Sequence, residues 1–256
     1  MLRLLTESFP EDPALDTAVS RALMLRVAAG ELGETLRISR PGANVAFGKR
    51  DAVSAGYREA VRAARDCGFE AIERLAGGRA AVFHEDTLAF AHAVPDPDPR
   101  SHVDVRFEAT AELMMAAFRR LGVDARVGEV PGEYCPGAHS VNARGQRKLM
   151  GVGQRLVSRG VHVGGVVVVQ GADRVKQVLV PVYAALGLEW RPETTGSVAG
   201  EAPGATWETV RGAITAEYAL RHELEPAVLD PDTIRLARTL APEHLSPDSK
   251  GSAPRP

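Results

Sequence analysis

Cysteine is scarce: the 256-residue chain has two, Cys67 and Cys135, too few for a disulfide framework. Neither has a second Cys or a His at metal-ligand spacing. Free thiols in a reducing cytoplasm are therefore expected. Charge of one sign is also missing. Lys plus Arg number 31 against 33 Asp plus Glu, a net charge of -2, with the signs interleaved, so no polybasic surface for nucleic acid or an anionic membrane is implied. The longest apolar run, Val166 to Val169 with its neighbours, falls far short of the roughly 18 residues a membrane span needs. Residues 1–10 carry one positive charge, too short an apolar stretch and no small-residue cleavage site, which speaks against a secretory signal. His84, His92 and His102 offer no helical ligand pair, so no metal is assigned. There is no internal repeat, no dinucleotide fingerprint and no P-loop pattern.

Apolar residues make up 45% and charged residues 25%, the balance of a globular domain, and the length suits one or two domains. Asp12-Pro13 opens a helix over 12–29, with Leu15, Val19, Leu23 and Val27 four apart. Short strands are expected at 35–39 and 44–47, and a helix over 56–67, with Cys67 in its last turn as a small buried hydrophobe. Strands follow at 70–74, 80–84 and 87–94, then a helix over 107–121. The pattern from 123 to 170 is strand-like, with a two-residue hairpin turn at Arg144-Gly145 and a buried strand at 161–169. Helices return at 173–186, 206–221 and 232–240. Strands and helices do not alternate singly, which predicts an α+β fold with a mixed, mainly antiparallel β-sheet core flanked by helices. The domain should occupy 1–245. Residues 246–256 contain nothing to anchor them in a core and are expected to form a disordered tail.

Two segments could carry chemistry. Arg74-Leu75-Ala76-Gly77-Gly78-Arg79 leads into Ala80 to His84, and a glycine pair between strands lets backbone approach a ligand or adopt positive φ. On its own it is more often a turn. Gly132-Glu133-Tyr134-Cys135-Pro136-Gly137 places a thiol in a tight loop that a substrate can reach, with catalytic and structural readings evenly balanced. Arg147-Lys148-Leu149-Met150-Gly151 follows with Gln154, and Lys148 alone would pass for a surface charge.

Together these segments resemble the lipoyl/octanoyl transferase and lipoate-protein ligase family, part of the superfamily that includes biotin ligases. The resemblance rests on Arg74, Gly77 to Ala80 and His84, on Glu133 to Gly137, and on Gly145, Arg147 to Leu149, Gly151 and Gln154. The Cys-Pro-Gly upstream of the lysine strand resembles the cysteine-dependent acyltransferases. His139-Ser140 departs from the pattern, since relatives commonly have Tyr-Asp there.

The resemblance implies Cys135 as nucleophile and Lys148 as active-site lysine. It also implies an acyl-binding set of Arg74, Leu75, Ala76, Gly77, Gly78, Arg79, His84 and Gly151. An octanoyl or lipoyl group would pass from a carrier, either acyl carrier protein or an acylated glycine-cleavage H protein, through a Cys135 thioester. The acceptor would be a lysine of a lipoyl domain of a 2-oxoacid dehydrogenase or of H protein. No cofactor is needed on this route. ATP and Mg²⁺ enter only under the alternative of a lipoate-protein ligase acting through lipoyl-adenylate, and a non-catalytic acyl- or carrier-binding homologue is the third possibility. Lys148 could supply positive charge, orient the acyl carbonyl and stabilise the oxyanion. The Arg144-Gly145 turn would set Ala143 opposite Gln146 and Val141 opposite Lys148, on the face of His139. His139 itself is about 13 Å of extended chain from Cys135. Ala89 to Val94, Leu75, Ala76 and Val163 offer small side chains for an acyl slot.

Overall fold

The computed structural model describes residues 1–247. In chain order the elements are β1 (Leu2–Leu5), α1 (Pro13–Ala28), β2 (Thr35–Ser39), β3 (Asn44–Phe47), α2 (Lys49–Ala52), α3 (Tyr57–Asp66), β4 (Glu70–Glu73), β5 (Ala81–Phe83), β6 (Thr87–Pro95), α4 (Val103–Arg120), β7 (Ala125–Val127), β8 (Val141–Ala143), β9 (Arg147–Val157), β10 (Gly160–Val168), α5 (Ala172–Ala185), α6 (Val198–Glu201), α7 (Trp207–Ala219), β11 (Leu224–Pro226) and α8 (Pro231–Leu240), with 3-10 turns at Pro192–Thr194 and Ala241–His244. No helix among the described residues is long and apolar enough to cross a membrane.

An eight-stranded sheet runs β11-β1-β2-β6-β10-β9-β8-β7, and a three-stranded sheet runs β4-β3-β5. Pairing is antiparallel from β2 through β7, whereas β1 pairs in parallel with β2 and β11, and β3 with β4. This is the expected α+β architecture. The flanking terminal strands β1 and β11 escaped the sequence because three or four residues show no readable period and draw their order from neighbouring strands.

Three apolar clusters hold the layers. One joins α4 and α7 to the large sheet through Met114, Phe118, Val210 and Ile214. A second packs α3 and α5 on the small sheet through Val61, Phe47, Val178 and Leu179. The third buries Val19, Leu23 and Val27 of α1 against Ala237 and Leu240 of α8. Helix α1 starts where Pro13 fixes φ and the Asp12 side chain accepts from the Leu15 amide, satisfying an otherwise orphaned donor.

Local expectations change in four places. Helix α4 begins at Val103 rather than Phe107, since its first turn, Val103-Asp104-Val105-Arg106, lies off the buried apolar stripe: Val105 is exposed and Arg106 is held by Gln154 and Asp96. Cys67 is not a buried hydrophobe but the exposed C-cap of α3, one residue past the helix end at Asp66 and three past Ala64, the last of the buried stripe of Tyr57, Ala60, Val61 and Ala64. The β8-β9 hairpin is shifted by a residue: Ala143 faces Arg147 and Asn142 faces Lys148, after which a bulge brings Val141 opposite Met150. Arg144 and Gly145 do turn with φ of 55° and 72°, but Asn142 Oδ1 accepts from the Gly145 amide and Arg144 donates to the Asp124 carbonyl, which widens the loop. Lys148 and Leu149 are both buried, because each face of the sheet is covered at this point. Finally, Ser246, expected to open a disordered tail, is buried and bonded to Tyr57. Residues 248–256 of that segment lie outside the described residues.

Candidate active site

The loop between β7 and β8 is organised by a buried carboxylate. Glu133 is 3% exposed. Its Oε2 accepts from the Val130 amide at 2.9 Å, while Oε1 accepts from Ser140 Oγ at 2.6 Å, the Gly137 amide at 3.3 Å and Lys148 Nζ at 2.8 Å. A carboxylate can take several donors at once, so one side chain closes both ends of the turn. Lys148 completes the lock. Its ammonium also donates to the carbonyls of Tyr134 at 3.0 Å and Cys135 at 2.7 Å, and it lies 4.9 Å from the centre of the Tyr134 ring. The three ammonium hydrogens are thus all engaged. A role for Lys148 at a substrate oxyanion requires one of these bonds to be given up.

The second of those two carbonyl-anchored residues has a strained backbone. Cys135 has φ of +42°, a conformation that costs a non-glycine residue energy and persists where the surroundings enforce it. The enforcing contacts are the Lys148 bond to its carbonyl and the Tyr183 hydroxyl, which accepts from the Cys135 amide at 2.8 Å and donates to the Ala80 carbonyl at 3.1 Å. Burial holds the Tyr183 phenol well above its ordinary pKa, so it stays a neutral donor.

The strained residue turns its sulfur toward the glycine loop. Sγ of Cys135 accepts from the Arg79 amide at 3.2 Å and lies 3.7 Å from Nη1 of Arg74. Arg74 also donates to the Arg79 carbonyl at 3.0 Å, and Arg79 reaches Asp51, at 3.1 Å. Of the glycine pair, Gly78 is the constrained member. Its φ is +113°, and a Cβ there would stand 2.9 Å from Cys135 Sγ and 3.0 Å from Arg74 Nη1; a Cβ at Gly77 would meet nothing within 4 Å. From the other side Gly48 presses on the loop, where a Cβ would overlap the Gly78 carbonyl oxygen at 1.9 Å.

Two spaces meet at Arg74. A pocket of about 420 Å³ contains Cys135, Lys148, Gly151, Gln154, Phe107 and His139. A narrow slot behind it is lined by Leu75, Ala76, Ala46, Ile72, Phe83, Ala89 and Ala91, with Gly164 and Gly165 on its sheet side. Of the expected slot wall, Leu75, Ala76 and Ala89 to Ala91 are present, whereas His92, Ala93, Val94 and Val163 do not line it, and Ala93 packs instead in the core cluster of α1 and α8. His162 lines the slot as a neutral ring, its pKa held down to about 3 by burial and by the nearby Arg74 cation.

The sequence-derived residues therefore divide. Cys135, Lys148, Arg74, Gly77, Gly78 and Gly151 line one pocket, Leu75 and Ala76 line the slot, and Arg79 touches the sulfur through its backbone. His84 does not join them: it is fully buried at the β5-β6 turn, where Nδ1 accepts from the Asp86 amide. His139 stacks on Phe107 with ring centroids 5.0 Å apart and makes no hydrogen bond to Cys135 among the described contacts. Glu133 stood in the quoted motif without an assigned role, and Tyr183 carried no signal at all, being one apolar-looking position on a distant helix.

Comparisons with known proteins identify the family and the fold. The family model for the lipoyl protein ligase A/B catalytic domain matches residues 12–184. A lipoyl-[GcvH]:protein N-lipoyltransferase from Listeria monocytogenes is 24% identical over 113 residues, a stretch that spans 44% of this chain and 40% of that protein. Among solved structures, a Thermoplasma acidophilum protein with bound lipoic acid superimposes with a TM-score of 0.74 at 19% identity, covering 94% of this chain and 95% of its own. Lipoate-protein ligase A bound with ATP gives 0.73 at 19% identity, with 94% of each chain covered. These structural likenesses speak to the fold.

Proposed function

The chain belongs to the lipoyl protein ligase A/B catalytic domain family, and from that membership we propose that it is a cysteine-dependent acyltransferase that moves an octanoyl or lipoyl group between carrier proteins. The single observation that carries the reading is the setting of Cys135: a strained residue, held from three sides, whose sulfur meets a backbone N–H and a guanidinium at the junction of a pocket and an apolar slot. A buried structural cysteine has no use for such contacts, whereas donors aimed at sulfur stabilise the charge it carries as nucleophile and as leaving group.

The chemistry balances without an external energy source. Sγ attacks the carbonyl carbon of the donor, the S–C bond forms, the donor's own bond to that carbon breaks, and the departing thiol or amine takes the proton. From a carrier thioester this exchange is nearly thermoneutral. From an acylated lysine it runs uphill to the thioester and back downhill to a second amide. In the second half-reaction a neutral lysine amine of the acceptor attacks the same carbon, C–N forms, S–C breaks, and a proton from the amine passes to the departing sulfur, which regenerates the Cys135 thiol. The acyl chain lies in the slot between Ala76 and Ala91, and the Arg74 to Arg79 loop covers the reacting carbon. Lys148 contributes by fixing the Tyr134 and Cys135 carbonyls, and so the direction of Sγ.

The name of the Listeria relative supports a lipoylated H protein as donor, and a T. acidophilum ligase studied with its E2 lipoyl domain supports a lipoyl domain as acceptor. Incubation of the enzyme with an acylated carrier and an unmodified lipoyl domain, without ATP, tests the proposal. Acylation of the acceptor lysine is expected, and modification that requires free lipoate and ATP would instead assign an adenylating ligase.

A further inference from the structure

The outer edge of the small sheet is not left open. Strand β4 carries Arg74 immediately beyond its last residue, and among the described residues its only neighbour within that sheet is β3. The opposite side of β4 is covered by the end of the described chain. Leu245 bridges Ile72, and the Ser246 amide reaches the Ala71 carbonyl at 3.4 Å. Ser246 Oγ lies 2.8 Å from the Tyr57 hydroxyl, and Nδ1 of His244 lies 2.8 Å from the Glu73 carbonyl. Because a carbonyl only accepts, the His244 ring carries its proton on Nδ1. His244 is 4% exposed, and burial holds its pKa below the ordinary histidine value.

The Glu73 carbonyl belongs to the peptide unit that enters Arg74. The same peptide unit is held on its other side by the Arg74 amide, which donates to the Phe47 carbonyl at 2.9 Å, so the His244 bond secures its second side; the Arg74 side chain that leaves it ends 3.7 Å from Cys135 Sγ. Four residues of edge strand with one ladder partner are weakly held on their own. We propose that His244 is a positioning residue: the chain end from Ala241 to Ser246 straps β4, and the His244 bond to Glu73 sets the Arg74 guanidinium against the Cys135 sulfur. The proposal rests on the assignment of Cys135 as nucleophile with Arg74 as its cation.

Alkylation by iodoacetamide tests it without a carrier protein, in full-length enzyme carrying Cys67→Ser so that Cys135 alone reacts. Arg74→Ala is expected to slow alkylation, since a cation beside a thiol favours the reactive thiolate. His244→Phe, which keeps the volume and loses the donor, is expected to slow it by about threefold or more at a temperature where the circular dichroism spectrum is unchanged. His244→Asn, whose amide donor occupies the place of Nδ1, should restore the rate. The double variant Arg74→Ala/His244→Phe should be no slower than Arg74→Ala, because both act through one guanidinium. Wild-type reactivity of His244→Phe, a failure of Asn to rescue, or multiplying effects in the double variant would overturn the strap and leave Arg74 in place. An Arg74→Ala enzyme that alkylates normally would overturn the sulfur–cation assignment itself.

Discussion

Nη1 of Arg74 stands 3.7 Å from Sγ of Cys135, so the cation at the sulfur comes from the glycine loop and not from the lysine strand. Lys148 is instead engaged by Glu133 and two loop carbonyls. On the proposed mechanism the two basic residues divide the work: Arg74 faces the sulfur, and Lys148 holds the loop that presents it.

Cys135→Ser should abolish transfer and leave the fold intact, whereas Cys67→Ser, at an exposed helix end, should be silent in both respects. Single-turnover transfer to a lipoyl domain, with circular dichroism alongside, distinguishes the two thiols. Activity that follows Cys67 would contradict the assignment.

Lys148 and Glu133 form an ion pair at 2.8 Å whose side chains are 1% and 0% exposed. Removing one partner strands the other charge in the interior, which costs about 3–5 kcal/mol. Lys148→Ala is therefore expected to lose stability as well as activity, seen as a lower urea midpoint. Lys148→Met combined with Glu133→Gln should recover much of the stability and none of the activity. A Lys148→Ala enzyme as stable as wild type would show that the pair does not organise the loop.

The glycine pair should respond unequally. Gly78→Val introduces a Cβ 2.9 Å from the sulfur at a φ of +113°, with about 1–3 kcal/mol of backbone strain, and should block acyl loading. Gly77→Ala, with open space around it, should load normally. Equal behaviour of the two in a mass-spectrometric loading assay would reduce the loop to a turn.

Burial and the Arg74 cation depress the folded-state pKa of His162 to about 3 from an ordinary value of 6.5. Below about pH 6.5 the unfolded chain therefore binds a proton that the folded chain refuses. The stability this neutral ring allows is fully present above pH 6.5 and is lost as pH falls toward 3. Between pH 7 and pH 5 the loss is about 2 kcal/mol. Urea midpoints across that range should fall less steeply for His162→Leu than for wild type. Parallel slopes would mean that His162 is not held neutral.

The sequence made the site legible where chemistry is local. Cys135-Pro136-Gly137, Lys148 and the Gly77-Gly78 loop stood out only together, through their resemblance to a family, since each alone also fits a turn, a core thiol or a surface charge; the apolar period located the central helices and the buried strand at 161–169. What stayed hidden depends on contacts between distant segments. The β8-β9 register shift at Val141/Asn142, and the turn bonds to the Asn142 side chain and the Asp124 carbonyl, are encoded by no alternation rule. Tyr183 reaches the Cys135 amide from a helix nearly fifty residues downstream, and Ser246 is anchored by a hydroxyl of Tyr57. His84 matched the family pattern in sequence, yet its ring is turned into the β5-β6 turn.

Intact-mass measurement of the enzyme after mixing with an octanoylated or lipoylated carrier, without ATP, tests the mechanism most directly. The expected result is a single acyl adduct on the enzyme, mapped to Cys135, absent in Cys135→Ser, and discharged when an unmodified lipoyl domain is added. An acceptor that becomes acylated while Cys135 never carries the group, or only when free lipoate and ATP are supplied, would contradict a covalent role for Cys135.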